Sequence, residues 1–135
     1  MTLKRVLVAD DIASVLNAVA GLLLGSFEVV GLVSDGRAAL EESLKLDPDL
    51  VVLDISMPEM TGIEVARELK KHHSKAQIVF LTVHKDPDIL ATSLAAGGLG
   101  YVLKVRMDTD LIPAMNEALA GHVFVSRFSS QQETR

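Results

Sequence analysis

The sequence lacks several features that would point to particular classes of protein. It contains no cysteine, which excludes disulfide bonds and thiolate chemistry. No apolar run approaches the thickness of a bilayer, and the N-terminal residues lack a long apolar signal region. Basic residues are in the minority, with 13 lysines and arginines against 18 acidic residues, and the net charge of −5 disfavours direct binding of nucleic acid by these residues. We therefore expect a soluble, cytoplasmic protein with no membrane contact.

The apolar content is sufficient for one folded domain. Of the 135 residues, 49% are hydrophobic, and no low-complexity tract or internal linker interrupts them. We predict a single domain over residues 1–125. Residues 126–135 turn polar and are predicted to form a tail or the start of a linker.

Short apolar segments alternate with longer amphipathic ones along the chain. The short segments are typical of buried strands, and the longer ones repeat apolar residues at helical spacing. The predicted strands are residues 5–9, 27–33, 50–54, 77–82 and 100–104. The predicted helices are residues 12–23, 35–46, 62–73, 86–98 and 110–121.

This alternation predicts an α/β fold with a single doubly wound, five-stranded parallel sheet and helices on both faces. Two prolines bear on helix boundaries. Pro87 suits the first position of a helix capped by Asp86. Pro113 is tolerated only in a first helical turn, so the last helix is predicted to be capped by Asp110.

Polar side chains stand where four of the five strands end. They are Asp10 and Asp11 after strand 1, Asp54 after strand 3, Thr82 after strand 4 and Lys104 after strand 5. Ligands of open parallel sheets bind at these carboxyl ends, where the strand order switches. Clustered carboxylates repel one another unless a cation lies between them, and an oxygen-only ligand set favours Mg²⁺. Asp54 would then act as a nucleophile, with Lys104 and the metal stabilising a transferring phosphoryl group.

Four segments in this order and spacing resemble the receiver domain of response regulators: "VLVADD", "VVLDISMPEMTGIEVARELK", "IVFLTVH" and "GYVLK". The resemblance covers roughly residues 3–122. It implies a flavodoxin-like (βα)₅ fold with strand order 2-1-3-4-5. It also implies a phosphoacceptor in a two-component system rather than an enzyme that turns over a substrate, although such a domain catalyses its own aspartyl phosphorylation and dephosphorylation.

The resemblance assigns roles to the strand-end residues. Asp54 is expected to be phosphorylated by a sensor histidine kinase. Asp11 and Asp54 are expected to ligate Mg²⁺ together with the backbone carbonyl of Ser56, while Asp10 acts directly or through water.

A second group of residues is implicated in the response to phosphorylation. Thr82 is expected to move toward the phosphoryl group, Lys104 to pair with it and Tyr101 to act as the aromatic switch. The face formed by residues 86–121 would then dock differently against a second copy or an output domain. The resemblance is strongest to receivers joined to a C-terminal helix-turn-helix domain, which implies control of transcription by a domain outside these residues.

Two positions depart from the family pattern. Val105 follows Lys104 where a proline with a cis peptide bond is frequent, so we expect a trans bond and a different start to the last helix. Val83 replaces a small residue and is expected to narrow access for phosphodonors or water.

Each site residue taken alone has a plainer interpretation. A strand-end aspartate is more often a helix cap or turn former, which applies to Asp10, Asp11 and Asp54. Lys104 alone would be an ordinary surface lysine, and Thr82 an ordinary strand residue. The combination of these residues favours the functional interpretation.

Two further residues keep both interpretations. Tyr101 is either a switch or a fixed, packed ring with its hydroxyl in water. His84 is either a loop residue or a modulator of dephosphorylation.

Two other function classes can also carry a strand-end aspartate. An acid phosphohydrolase places its aspartate nucleophile after the first strand in a D-x-D pattern and carries a cap domain, and this chain has neither feature. A receiver-like binding module that is not phosphorylated is the remaining alternative, and the intact set of strand-end residues argues against it.

Overall fold

Five strands and five helices alternate along the chain, and a sixth short strand follows them. The computed structural model describes residues 2–127. In these residues the strands are β1 Arg5–Ala9, β2 Glu28–Val33, β3 Leu50–Leu53, β4 Gln77–Thr82, β5 Gly98–Leu103 and β6 Phe124–Val125. The helices are α1 Ala13–Leu23, α2 Gly36–Leu46, α3 Gly62–Lys71, α4 Pro87–Ala95 and α5 Met107–Leu119, with a 3₁₀ turn at Lys104–Arg106 before α5.

The strands form one parallel sheet in the order β2-β1-β3-β4-β5-β6. The predicted fold class and the order of the first five strands are confirmed. The predicted strand count is low by one, because Phe124 and Val125 pair with Gly100 and Tyr101 at the edge of β5. A two-residue strand carries no periodic pattern that a sequence could reveal.

The core lies on both faces of the sheet because successive strand residues point in opposite directions. On one face, the buried side chains of Leu7, Phe80 and Tyr101 belong to a cluster that includes residues of α2 and α3. On the other face, Val8 and Leu81 belong to a cluster that includes residues of α1 and α5. Burial of both faces is typical of parallel sheets and explains the continuous apolar runs of the sequence.

Short polar residues start three of the helices. Thr61 and Glu64 form a reciprocal capping box at α3, with distances of 3.1 Å and 2.8 Å between side-chain oxygens and backbone nitrogens. The Asp35 carboxylate accepts from the amide of Ala38 at the start of α2. Asp86 accepts from the amide of Asp88 ahead of Pro87, so the predicted cap of α4 is confirmed.

Three predicted helices end earlier than expected. α3 stops at Lys71 rather than at residue 73, α4 stops at Ala95 rather than at residue 98, and α5 stops at Leu119 rather than at residue 121. His73 and Gly97 have left-handed φ angles of 56° and 108°, which end a right-handed helix.

The predicted start of the last helix is wrong. α5 begins at Met107, so Asp110 lies inside the helix as a buried side chain and Pro113 is beyond the first turn. Pro113 is exposed, so water can reach the carbonyl that its missing amide leaves free. The 3₁₀ turn that leads into α5 agrees with the expectation of an altered helix start after Val105, and the described residues contain no cis peptide bond.

Among residues 2–127, no helix combines the length and the apolar content that crossing a membrane requires.

Candidate functional site

The register of β1 and β3 brings two aspartates together at the carboxyl edge of the sheet. Ala9 pairs with Leu53, so the next residues, Asp10 and Asp54, lie side by side. The amide of Asp54 donates to the carbonyl of Ala9 at 2.9 Å. Carboxylate oxygens of Asp10, Asp11 and Asp54 all lie within 4.8 Å of one another. Asp10 and Asp54 are buried, whereas Asp11 is exposed to solvent.

Lys104 completes this cluster from the other side of β4. Its Nζ atom lies 2.8 Å from Oδ2 of Asp10 and 3.4 Å from Oδ2 of Asp54. Neighbouring strands are about 4.8 Å apart, and β5 lies two strands from β3, so only a long side chain can bridge that gap. The lysine side chain is 12% exposed, which rules out the interpretation of Lys104 as an ordinary surface residue.

The electrostatics of the cluster favour a proton or a cation on the carboxylates. Burial raises the pKa of Asp54 to about 6, and the neighbouring charge of Asp10 adds to this effect, while Lys104 opposes it. Burial alone would lower the pKa of Lys104, but the attraction of both aspartates outweighs it and raises that pKa above its ordinary value. The lysine therefore remains charged at neutral pH, and one positive charge faces three carboxylates.

The helix-cap interpretation of these aspartates does not describe the structure. α1 begins after Ile12, with no side-chain cap hydrogen bond, and α3 is capped by Thr61. Oδ1 of Asp10 instead accepts from the amide of Ile12 at 2.9 Å, which fixes the carboxylate before the helix starts. Helix capping therefore does not account for the strand-end aspartates, whereas Asp10 does make the contact expected of a turn former.

The residues present fit a magnesium ion. Oδ2 of Asp10 is buried and accepts no directed hydrogen bond, although it forms the ion pair with Lys104. Asp11 and Asp54 offer further hard oxygen ligands, and the exposed position of Asp11 leaves room for the waters that Mg²⁺ retains.

His84 connects the remaining predicted residues. Its amide donates to Oγ1 of Thr82 at 3.1 Å, and its ring Nε2 shares a hydrogen bond of 2.9 Å with Oγ of Ser56. Its carbonyl accepts from the hydroxyl of Tyr101 at 3.0 Å. The sequence suggested His84 only through its position two residues after Thr82, and this bridging between two loops and β5 was not foreseen.

Tyr101 lies inside the protein. Its side chain is fully buried, and burial, with a smaller contribution from Asp86, raises the pKa of its hydroxyl to about 12. Of the two interpretations offered above, the packed ring describes this structure, but the hydroxyl is bonded to a protein carbonyl and not to water alone. The role of Tyr101 as a switch stays a prediction.

Two apolar side chains stand near the cluster in solvent. Val83, next to Thr82, is 65% exposed, and Val105, next to Lys104, is 83% exposed. The expected narrowing of access by Val83 stays a prediction.

Comparison with known proteins gives consistent matches. Residues 6–116 match the family model of the response regulator receiver domain. The chain is 37% identical over 98 residues to the nitrate/nitrite response regulator protein NarL of Escherichia coli (strain K12), which covers 73% of this chain and 45% of NarL. It is 30% identical over 115 residues to the chemotaxis protein CheY of Thermotoga maritima, covering 84% of this chain and 96% of CheY.

A solved structure of a receiver domain is also similar to this chain. The isolated receiver domain of RcsB from Salmonella enterica serovar Typhimurium, determined with the phosphomimetic BeF₃⁻, superimposes with a TM-score of 0.85 at 30% identity. The match covers 96% of this chain and 98% of that one. The chain spans between 45% and 61% of the length of curated relatives such as NarL and the response regulator GacA of Pseudomonas viridiflava.

Proposed function

This chain belongs to the response regulator receiver domain family of two-component systems, and we propose that it accepts a phosphoryl group on Asp54 from a sensor histidine kinase in a Mg²⁺-dependent reaction. The observation that carries this proposal is the buried Asp54 carboxylate, held between Asp10 and the Lys104 ammonium at the edge of the sheet. Packing alone does not explain why the Asp54 carboxylate is buried beside the buried carboxylate of Asp10, because two such charges repel each other.

The chemistry follows from the charges of the cluster. A pKa of about 6 leaves most Asp54 side chains ionised at neutral pH, so an oxygen of Asp54 can attack phosphorus while the phosphorus–nitrogen bond of the donor histidine breaks. Asp10, Asp11, Asp54 and the carbonyl of Ser56 would hold the metal ion. When bound, Mg²⁺ neutralises charge on the transferring phosphoryl oxygens.

The residues around Asp54 would carry the response. The phosphoryl group adds close to two negative charges, and Lys104 can exchange its contacts with the aspartates for a contact with that group. The Thr82 hydroxyl now accepts from the amide of His84, and a turn of this hydroxyl toward the phosphoryl group would release the loop that Tyr101 holds. Val83 and His84 follow Thr82 in the chain, and we expect them to affect dephosphorylation.

We further propose that the response is displayed on the face formed by residues 86–121, which includes α4, β5 and α5. A second copy or an output domain would dock there differently in the two states, which requires a differential of about 1–3 kcal/mol. Control of transcription in the cytoplasm is the proposed output, and any DNA contact would come from a domain outside these residues, in keeping with relatives described as transcriptional regulatory proteins.

Incubation with acetyl phosphate tests the central proposal. In the presence of Mg²⁺, intact-mass spectrometry is expected to show the addition of one phosphoryl group. A chelator is expected to prevent it, because the single charge of Lys104 cannot neutralise three carboxylates and an incoming phosphate. A chain that stays unlabelled with Mg²⁺ but still recruits partners would instead support the binding-module alternative.

Variants of Asp11 and Lys104 test the assignment of the metal site. Asp11→Ala is expected to weaken Mg²⁺ binding by at least about tenfold. Loss of a residue that only hydrogen-bonds to a metal ligand already weakens metal binding by about this much, and loss of a ligand should cost at least as much. Lys104→Ala should bind Mg²⁺ at least as tightly as the parent chain, because its ammonium now competes for Asp10 and Asp54. Metal titrations followed by isothermal calorimetry would measure both. Loss of binding in Lys104→Ala would contradict the assignment.

A further inference from the structure

A buried serine and a buried aspartate lie directly beside the turn that carries Lys104. Ser126 is 2% exposed, and its hydroxyl donates to Oδ2 of Asp110 at 2.7 Å. The same hydroxyl accepts from the amide of Leu103 at 3.1 Å. We call this arrangement of the Leu103 amide, the Ser126 hydroxyl and the Asp110 carboxylate the serine bridge.

Contacts on both sides of the Lys104 turn lead to Asp110, one through the serine bridge and one through Arg106. Leu103 precedes Lys104 and is the last residue of β5. On the other side, Arg106, the last residue of the 3₁₀ turn, donates through Nε to Oδ2 of Asp110 at 2.9 Å. The backbone before Lys104 is held through the Leu103 amide, and the side chain of Arg106, two residues after Lys104, reaches the same Asp110 carboxylate.

Hydrogen bonds stabilise the negative charge of Asp110, the carboxylate of the serine bridge. Asp110 is 7% exposed, and burial alone would raise the pKa of its carboxyl. Hydrogen bonds from Ser126, Arg106 and Thr109 outweigh that effect and lower the pKa below its ordinary value. A buried charge with several directed donors gives a fixed geometry, because loss of any donor leaves the charge less satisfied.

The serine bridge also reaches the last described part of the chain. Ser126 follows β6 directly, and its amide donates to the carbonyl of Tyr101 at 2.8 Å. One residue therefore touches the backbone of the predicted switch residue, the end of β5 and the helix α5. A displacement of the backbone at Lys104, which follows β5, would act directly on the contact between the Leu103 amide and this serine.

We propose that Asp110 and Ser126 are positioning residues for Lys104, and that the serine bridge transmits the state of Asp54 to residues 124–127. The second part rests on the proposed function, in which Lys104 responds to a phosphoryl group. The first part is independent of it, since it concerns only how firmly the Lys104 turn is held.

Ser126→Ala in the full 135-residue chain tests both parts. The matched control is Ser43→Ala, since Ser43 is 1% exposed and its hydroxyl forms no hydrogen bond. In Ser126→Ala the amide of Leu103 is expected to exchange with solvent about five- to tenfold faster, as loss of one hydrogen bond predicts, while Ser43→Ala leaves it unchanged. Unchanged exchange in Ser126→Ala, or equal acceleration in both variants, would overturn the positioning role.

Amide spectra with beryllofluoride and Mg²⁺ test the transmission. In the parent chain, the phosphoryl mimic is expected to shift the amide signals of Lys104 and of residues 124–127. In Ser126→Ala the shift at Lys104 should differ from that of the parent chain, because its turn is held less firmly. The shifts at 124–127 should fall to less than about half of their parent values, as expected when a single directed contact carries most of a local coupling. Shifts at 124–127 as large as in the parent chain would overturn transmission through the serine.

A second variant and a labelling measurement distinguish failure of the positioning role from failure of the proposed function. Asp110→Asn keeps the shape of the side chain but removes the charge, so a smaller loss of the same response is expected, and this variant carries the test if Ser126→Ala does not fold. Labelling of Asp54 by acetyl phosphate should be slower in Ser126→Ala than in Ser43→Ala, because Lys104, which stabilises the transferring phosphoryl group, is then less firmly positioned. A parent chain without labelling and without any beryllofluoride shift would refute the proposed function and with it the transmission, whereas the exchange of Leu103 would still decide the positioning role.

Discussion

Asp54→Asn is expected to reduce phosphoryl labelling by acetyl phosphate more than about a hundredfold, a conservative figure for the loss of a nucleophile. The amide keeps the size of the side chain but offers no anionic oxygen to attack phosphorus. The two neighbouring carboxylates are poor substitutes. Asp10 is 1% exposed and is held by Lys104 and the Ile12 amide, and Asp11 lies outside the buried pair.

The measurement is intact-mass spectrometry over time with Mg²⁺ and a fixed concentration of acetyl phosphate. The matched control is Asp108→Asn, an exposed aspartate in α5 that lies outside the cluster, and its labelling should equal that of the parent chain. Labelling of Asp54→Asn at the parent rate would show that another residue is the acceptor and would refute the assignment of Asp54.

The sequence was sufficient to predict the cluster because its geometry depends on few variables. Parallel strands end at the same edge of the sheet, and the in-register pairing of Ala9 with Leu53 converts two strand-end aspartates into neighbours. Lys104 follows a strand two spacings from β3 and three from β1, and its long side chain reaches both Asp54 and Asp10. None of these steps requires knowledge of loop conformation.

Loops and the last helix were harder to predict for a physical reason. α5 starts at Met107, so Asp110 lies inside the helix and contacts Ser126, 16 residues away, whereas local propensity favoured a cap at Asp110. The bridging by His84 depends on how two loops meet, and the inward ring of Tyr101 depends on the space between β5 and α4. Tertiary contacts of this kind override local patterns and leave no periodic signal in the sequence.

The second large effect expected of Asp54→Asn is a gain in stability. At pH 8 without Mg²⁺, the free energy of unfolding of Asp54→Asn should exceed that of the parent chain by about 1–2 kcal/mol. A shift of two pKa units corresponds to roughly 3 kcal/mol, and we expect the variant to recover part of this energy. The reason is that burial and the charge of Asp10 raise the folded pKa of Asp54 from 3.8 to about 6. The folded state therefore binds the proton more tightly than the unfolded state does.

The sign of the pH dependence follows from this difference. As the pH rises from about 4 to about 6, unfolding of the parent chain releases a proton that the folded state had retained, so ionisation of Asp54 progressively lowers stability. Above this window the full cost is present, and below it the parent chain and Asp54→Asn should be nearly equal. Urea unfolding at several pH values would trace the difference.

Magnesium and a matched control make this prediction specific to the site. Mg²⁺ should stabilise the parent chain more than Asp54→Asn, because an ion that binds the folded state raises its stability by mass action and the variant has lost one ligand. Glu41→Gln, which removes an exposed carboxylate on α2, should change stability by less than about 0.5 kcal/mol under the same conditions.

An Asp54→Asn chain that is no more stable than the parent at pH 8 without Mg²⁺ would show that the cluster carries no electrostatic strain. We expect instead that Asp54→Asn unfolds at a temperature about 3–8 °C higher than the parent chain yet accepts no phosphoryl group. This result would show that the buried Asp54 lowers stability, as expected of a residue retained for its chemistry.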